Sequence, residues 1–393
     1  MAIIGRVTVH GFRGARDVAL EPGPVCALVG ESSSGKSTVL SAIWTLLEAA
    51  APMPTAADVS RGYTRVHVEA TIGDRTLFLD ARPPATLNLN REGAPPALFF
   101  PANLRPASLL APTDDPAKRA VGVVRREDAE DGGLALVRSV AALVEARVRG
   151  LVVLIEEPEL YLSPPAQRHL HRLLRRLAAR GRNQVLYSTH SPVFLGVDRI
   201  EELVLVRHDE RRGTTLLQPE PLPKAQAFRL LSELDGERAE IFLSRAVLLV
   251  EGRTEKLSFP FVFDALGYDA DQEAITIVDC AGKGNIPLFA EVCNACEIPY
   301  VVVHDRDAPR GQQPAEAEQI ANDTIMRVAG RKRTVALVPD FEGATGLRAR
   351  RAKPAAAYRR FQGGAGEVPG PLRQAVERVV ASARRAPRTT RGA

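Results

Sequence analysis

Cysteine is scarce, with four in 393 residues, and so thin a supply excludes a disulfide scaffold. Cys293 and Cys296 form a lone Cys-x-x-Cys. Without a second pair a zinc site lacks half its ligands, so these residues read as packed thiols. Long apolar runs are missing too, and none approaches the roughly 20 residues that cross a bilayer. The opening Met-Ala-Ile-Ile-Gly-Arg-Val-Thr-Val-His alternates like a strand instead of following a signal-peptide layout. No membrane partner is therefore expected, and the expected location is the cytoplasm.

What is present is ordinary for a globular protein of two or three domains: 45% apolar and 25% charged residues. The net charge of +5 hides an asymmetry. Residues 331–393 hold 15 Lys/Arg and 4 Asp/Glu, leaving the rest of the chain at 37 and 43. A basic C-terminal segment on a mildly acidic body suggests a polyanionic partner, first of all nucleic acid. A solvated, partly disordered tail is the alternative for Arg384 to Ala393.

The first half is organised around Gly30-Glu31-Ser32-Ser33-Ser34-Gly35-Lys36-Ser37-Thr38. It fits the P-loop pattern of glycine, four residues, then Gly-Lys-Ser. An apolar strand, Val25 to Val29, precedes it, and Val39 to Leu47 follows with helical apolar spacing. Strand, glycine loop and helix is the context that separates a P-loop from a chance glycine–serine loop. Its N–H groups would cradle the phosphates of ATP. Lys36 would add a point charge there, and the Ser37 hydroxyl would bind Mg²⁺.

Leu151 to Ile155 is a continuous apolar run, as a buried parallel strand should be, and it ends in Glu156-Glu157-Pro158-Glu159. Carboxylates at that strand end, beside a P-loop, are placed to reach Mg²⁺ and the attacking water. Glu156 would hold the metal and Glu157 would polarise the water. A helix over Gln167 to Ala179 is strongly basic on one face. The next strand, Gln184 to Tyr187, runs into Ser188-Thr189-His190-Ser191-Pro192, where His190 would sense the γ-phosphate.

These features resemble the ATP-binding-cassette branch of P-loop ATPases in its RecF, SMC and OLD (overcoming lysogenisation defect) form. The opening Val9-His10-Gly11-Phe12-Arg13-Gly14-Ala15-Arg16-Asp17 shares the likeness, as does Leu162-Ser163-Pro164. The resemblance implies ATPase heads that dimerise with ATP between them, the signature segment here falling around Gly132-Gly133.

In the second half, Arg245 to Val250 is a buried-strand run ending in Glu251-Gly252-Arg253-Thr254-Glu255. Further strands are predicted at Ile275 to Val278, Tyr300 to Val303 and Thr334 to Val338, with helical intervals. Such alternation implies a parallel α/β domain, whose site lies at the carboxyl edge of the strands. Acids gather there: Glu251, then Asp305 and Asp307, then Asp340 and Glu342. Glu251 and Glu255 are one helical turn apart, while Asp305 and Asp307 share one side of an extended chain. Hard oxygen ligands favour Mg²⁺ or Mn²⁺ over zinc. Two such ions roughly 4 Å apart would activate water and stabilise the leaving oxygen of a phosphodiester.

This half resembles a Toprim domain of the version fused behind the ATPase in OLD nucleases. The likeness rests on Glu251-Gly252-x-x-Glu255, Gly282-Lys283-Gly284-Asn285, Asp305-x-Asp307 and Pro339-Asp340-Phe341-Glu342-Gly343. It implies catalytic roles for Glu251, Glu255, Asp305 and Asp307, with Glu342 as a further metal ligand. Lys353 matches a late lysine that would stabilise charge at the scissile phosphate.

The expected architecture is an α/β chain: an ABC-type P-loop ATPase head over 1–243, a Toprim nuclease domain over 244–356, and a basic, partly helical or disordered segment over 357–393. The expected function is an ATP-regulated, metal-dependent DNA endonuclease. From the resemblance follow a role in phage defence or DNA repair, a homodimer or larger homo-oligomer through the heads, and a helicase-type partner. Two alternatives stay open: a DNA-binding ATPase with an inactive Toprim domain, and a Toprim nuclease acting on RNA.

Overall fold

The computed structural model describes residues 3–102, 132–195, 199–309, 311–347, 353–362 and 368–386. The chain divides into two compact units, Met1–Pro221 and Leu222–Pro387.

The first unit is built on two sheets. One is antiparallel, in the order β2-β1-β4-β5-β6, from Ala15–Leu20, Arg6–Phe12, Val66–Ile72, Arg75–Arg82 and Thr86–Asn90. The other runs β11-β10-β3-β9-β8-β7, from Gly213–Leu217, Leu203–Asp209, Val25–Val29, Gln184–Thr189, Val152–Glu156 and Ala97–Phe100. Its strands pair in parallel except β11, which is antiparallel to β10. Central β3 and β9 are buried along their whole length, and β3 accordingly reads as an unbroken apolar run.

Helix α1, Lys36–Leu47, lies between the sheets. Its Val39, Leu40, Ile43 and Leu46 share one core with Val7, Val9, Val68 and Leu79 of the antiparallel sheet and Leu28, Leu154 and Leu186 of the parallel one. Each such side chain contributes about 1.5–3 kcal/mol by leaving water. The buried Gln184 side chain ties the start of the chain to this sheet, accepting from the Ile4 amide at 2.8 Å and donating to the Pro22 carbonyl at 2.9 Å. Helices α2, Gly132–Glu145, and α3, Pro164–Ala179, pack against one another, and α3 buries Leu170, Leu173, Leu174 and Leu177.

The second unit carries a parallel sheet in the order β13-β12-β14-β15, from Ile275–Asp279, Ala246–Val250, Tyr300–Asp305 and Thr334–Leu337. The helices are α4, Lys224–Glu233; α5, Arg253–Ala265; α6, Ile286–Ala295; α7, Glu316–Ala329; α8, Phe341–Thr345; α9, Lys353–Gln362; and α10, Gly370–Arg385. Ala246, Leu248 and Val250 pack with Phe259 and Phe263 of α5, Phe361 of α9, and Val376 and Val380 of α10.

The boundary falls at Pro221/Leu222 and not at 243/244. The reason is local bonding: Arg238 donates from Nε to the Asp279 carbonyl at 2.6 Å, and Arg229 donates to Asn285 Oδ1 at 2.8 Å. Residues 370–385 are likewise no separate tail, because α10 buries Leu372, Ala375, Val376 and Val379 in the core of this unit. Arg384 bonds Glu273, while the basic residues beyond 386 lie outside the described residues. All four cysteines are buried and free. Among the described residues no helix is long and apolar enough to cross a membrane.

Candidate functional site

In the first unit the P-loop leaves β3 at Gly30 and enters α1 at Gly35. Both glycines hold positive φ, 156° and 110°, a region L side chains rarely adopt. Space enforces the same choice. A Cβ at Gly30 would stand 2.1 Å from the Val206 carbonyl oxygen, and one at Gly35 would stand 2.1 Å from Thr214 Oγ1. The neighbouring strands β10 and β11 thus press the loop into shape.

Lys36 folds back over this loop, donating from Nζ to the carbonyls of Gly30 and Glu31, each at 2.9 Å. Burial lowers its pKa to about 8, against the opposing pull of Glu157, Glu159 and Glu31. The Ser34 hydroxyl is buried without a hydrogen-bond partner. Ser37 and Thr38 open α1, with Ser37 exposed; Glu31, Ser32 and Ser33 form the outer turn. An anion-binding loop of backbone amides at a helix N-terminus fits a phosphate chain.

Glu156 ends β8 and accepts from the Ala102 amide at 3.3 Å. Glu157 takes a left-handed backbone, φ 46°, pinned by its amide donating to the Ser188 carbonyl at 3.0 Å. Its Oε1 lies 3.9 Å from His190 Nε2. Burial, with Lys36 nearby, lowers the His190 pKa against the pull of Glu157, which favours the neutral imidazole. The acid that sequence reasoning passed over is Glu159. It accepts from Thr189 Oγ1 at 2.8 Å and from the His190 amide at 2.6 Å, and so holds the histidine's loop to the acidic turn. The sequence signal was available, since Glu159 belongs to the same acidic run.

In the second unit β12 and β14 lie side by side and bring their terminal acids together. Glu251 accepts from the Asp305 amide at 3.4 Å. Glu255, buried in the first turn of α5, accepts from the Gly252 amide at 3.1 Å. Burial pushes the Glu255 carboxyl up to about 7, helped by Glu251 and Glu342. Asp305 is pushed up to about 8 by burial and by Glu251, Glu255, Asp307 and Asp340. Glu251 is raised as well, mainly by burial. The Asp305 Oδ1 atom is buried without a hydrogen-bond partner.

Asp307 takes a left-handed backbone, φ 59°, and pairs with Lys283, whose Nζ also reaches Glu318 Oε2 at 2.9 Å. The expectation that Asp305 and Asp307 share one side of an extended strand is corrected here, because β14 ends at Asp305. Glu342 pairs with Lys353 at 2.8 Å. Asp340 instead caps α8, accepting from the Gly343 amide at 2.6 Å. Among the described residues no group of three or more His, Cys, Asp or Glu side chains stands close enough together to hold a metal ion as it is. The acids stand near enough to raise one another's pKa, as like charges do at short range. Hard oxygen donors with one buried oxygen unsatisfied suit a divalent cation such as Mg²⁺. Lys283 was quoted only as part of a glycine motif; nothing in the sequence separation of 24 residues marks it as the partner of Asp307.

Comparisons with known proteins match segments of both units. Residues 242–307 match the family described as "Overcoming lysogenization defect protein-like, TOPRIM domain". Residues 131–196 match a family described as an AAA domain, and residues 2–55 match a family of unknown function. The chain is 38% identical over 213 residues to the OLD nuclease of Thermus scotoductus, an alignment covering 50% of this chain and 40% of that protein. It is 30% identical over 169 residues to the Old nuclease of Escherichia phage P2, covering 42% of this chain and 29% of that protein. It thus spans well under half the length of these curated relatives. A solved SMC head domain from Thermotoga maritima aligns over 56% of this chain and 100% of its own, at 15% identity and a TM-score of 0.37. The chain is thus similar in sequence to OLD nucleases, and it joins a segment that matches an AAA-domain family to one that matches an OLD-like Toprim family.

Proposed function

We propose that this protein is an ATP-regulated, divalent-metal-dependent endonuclease that hydrolyses the phosphodiester backbone of DNA. The observation that carries the reading is the Asp305 carboxyl, buried at a strand end, ringed by Glu251, Glu255, Asp307 and Asp340, and left with an unsatisfied oxygen. Carboxylates gathered at this cost are rare unless a cation balances them.

Glu251, Glu255 and Asp305 would hold the metal, with Asp307 and Glu342 in supporting positions. A bound Mg²⁺ or Mn²⁺ supplies Lewis acidity and a water of lowered pKa. The chain's own groups do the rest. The Gly252 amide orients Glu255, the Asp305 amide orients Glu251, and Lys283 and Lys353 bring positive charge to where a phosphate must enter. In the first unit, the P-loop would bind ATP, with Ser37 and Glu156 toward its metal. Glu157 would orient the attacking water and His190 would face the γ-phosphate. Dimerisation through the ATPase units, a helicase-type partner and a part in phage defence or DNA repair extend the same reading.

The test is supercoiled plasmid incubated with Mg²⁺ or Mn²⁺, with and without ATP. Nicking that is metal-dependent, absent in Asp305→Ala and altered in its ATP response in Lys36→Ala is the expected result. If neither metal supports cleavage of plasmid, the DNA-nuclease reading falls.

A further inference from the structure

Helix α3 contains no acid. Over residues 164–182 the chain has six arginines and no Asp or Glu. One of them, Arg175, is half-buried and held by Glu202 at 2.8 Å. The leucine face is occupied by the core. The remaining face presents Arg168, Arg172, Arg176 and Arg180, all exposed. None of these four has an acidic partner among the described residues. Nothing in the phosphate chemistry of the P-loop uses them.

Their spacing is regular. Four residues advance an α-helix by about 6 Å and turn its face by about 40°, so Arg168, Arg172 and Arg176 form a stripe of about 12 Å that drifts by about 80°, with Arg180 following as the extended residue that ends the helix. Past the end of the helix, Arg149 and Arg182 continue the positive surface as the walls of a recess floored by Gly150, Gly181, Ile3 and Ile72. The Gly150 amide donates to the Gly181 carbonyl at 2.9 Å, which fixes the two arginine-bearing turns beside each other. Six guanidinium groups on one rigid scaffold are a costly concentration of like charge unless a polyanion covers them.

We propose that this arginine face is a docking surface for the phosphate backbone of duplex DNA. A duplex offers one phosphate per about 3.4 Å of axis on each strand, so a stripe of about 12 Å faces about three phosphates. The match favours a duplex because both surfaces are stiff: DNA keeps its direction over about 150 bp, and the arginines sit on a helix locked to the core. Arginine suits the task, since its planar fork pairs with phosphate through two parallel hydrogen bonds. Contacts of this kind position a duplex without reading its sequence. This surface rests on the DNA-nuclease reading for the choice of polyanion, but its test needs no cleavage.

The test measures binding of a fluorescent 30-bp duplex in EDTA by the full chain, by Arg168→Ala/Arg172→Ala/Arg176→Ala and by the matching triple Lys variant. Each phosphate contact contributes about 0.9 to the slope of log K against log salt. The alanine triple should therefore lose at least tenfold in affinity at low salt and flatten that slope by about 2–3. The lysine triple should keep most of the slope. Melting temperature and ATP hydrolysis without DNA should be unchanged, which separates lost binding from lost folding. Equal affinity and slope in all three proteins would overturn the proposal. So would a loss seen equally with a single-stranded 30-mer, or one seen only with anionic lipid vesicles. Failure of plasmid nicking with this binding intact would sink the nuclease reading and leave the surface standing.

Discussion

The nucleotide loop and the acidic cluster handle their unpaired charge in opposite ways. In the loop, backbone does most of the work and the one buried cation satisfies itself: Lys36 bonds the carbonyls of its own turn. In the cluster, side chains do the work and burial sets them against one another, so Asp305 and Glu255 sit at about 8 and about 7. A phosphate site built from amides costs the fold little, because amides carry no net charge to desolvate. A metal site built from carboxylates destabilises its surroundings until a cation arrives. The first site is therefore expected to tolerate the absence of its ligand, and the second to depend on it.

The sharpest way to break the comparison is a crossed pair of variants. Asp305→Ala should reduce plasmid cleavage by at least about a thousandfold, within the range seen when an essential catalytic group is lost, with ATP hydrolysis unchanged. Lys36→Ala should abolish ATP hydrolysis yet leave Asp305 and its neighbours able to bind metal, read as a metal-induced rise in melting temperature. If either variant disables both sites, their independence is disproved.

A second test uses stability against pH in EDTA. Asp305 and Glu255 are raised above their ordinary values of 3.8 and 4.5, so the folded state holds protons that the unfolded chain has released. The contribution of these two groups to stability is then full below about pH 4, falls as pH rises, and is lost above about pH 8. Mg²⁺ or Mn²⁺ should reverse this, giving a larger rise in melting temperature at pH 8.5 than at pH 6. Asp305→Asn should flatten the metal-free curve. A wild-type curve that rises across this window would contradict the crowding of the carboxylates.

The contrast also explains what was legible in the sequence. The P-loop is a contiguous run whose flanks declare strand and helix, so Gly30, Gly35 and Lys36 could be given their places from nine residues. The Toprim acids come from separate strands, yet each sits at the end of an apolar run, which let Glu251 and Asp305 be paired before any fold was known. What could not be read was whatever depends on a turn. Asp307 leaves the line of Asp305 because its backbone becomes left-handed after β14, and Lys283 meets it only in three dimensions. Strand β10 was missed although Leu203, Val204, Leu205 and Val206 are buried. Its apolar stretch is short and opens on the acids Glu201 and Glu202. The basic C-terminal segment was expected to be partly helical or disordered, and its charge hid the period by which Leu372, Val376 and Val379 of α10 join the core.

A smaller effect is expected at Glu159, the residue that joins the acidic turn to the histidine loop. Glu159→Ala strands the buried Thr189 hydroxyl and leaves the His190 amide unpaired, which should cost about 1–3 kcal/mol and lower the melting temperature of the first unit. ATP hydrolysis should fall with it, since His190 would no longer be held in place. Glu159→Gln keeps one acceptor oxygen, enough for the His190 amide or the Thr189 hydroxyl but not for both, and should restore about half of the stability.

The last and smallest difference is one of sign. Metal affinity at the acidic cluster should climb as pH rises through 7 to 8, because Glu255 and Asp305 must shed protons to ligate. At the loop the buried Lys36, lowered to about 8, loses its charge over the same interval and with it part of its attraction for phosphate. ATP affinity, measured by fluorescent-nucleotide displacement at fixed salt, should therefore decline between pH 7 and 9 by up to about tenfold. Lys36→Arg, whose guanidinium stays charged throughout, should bind more weakly overall but with a flat profile. A wild-type affinity that is level across this range would mean that the bound phosphates hold the lysine proton firmly enough to hide its burial. The two sites would then differ in their chemistry without differing in their response to pH.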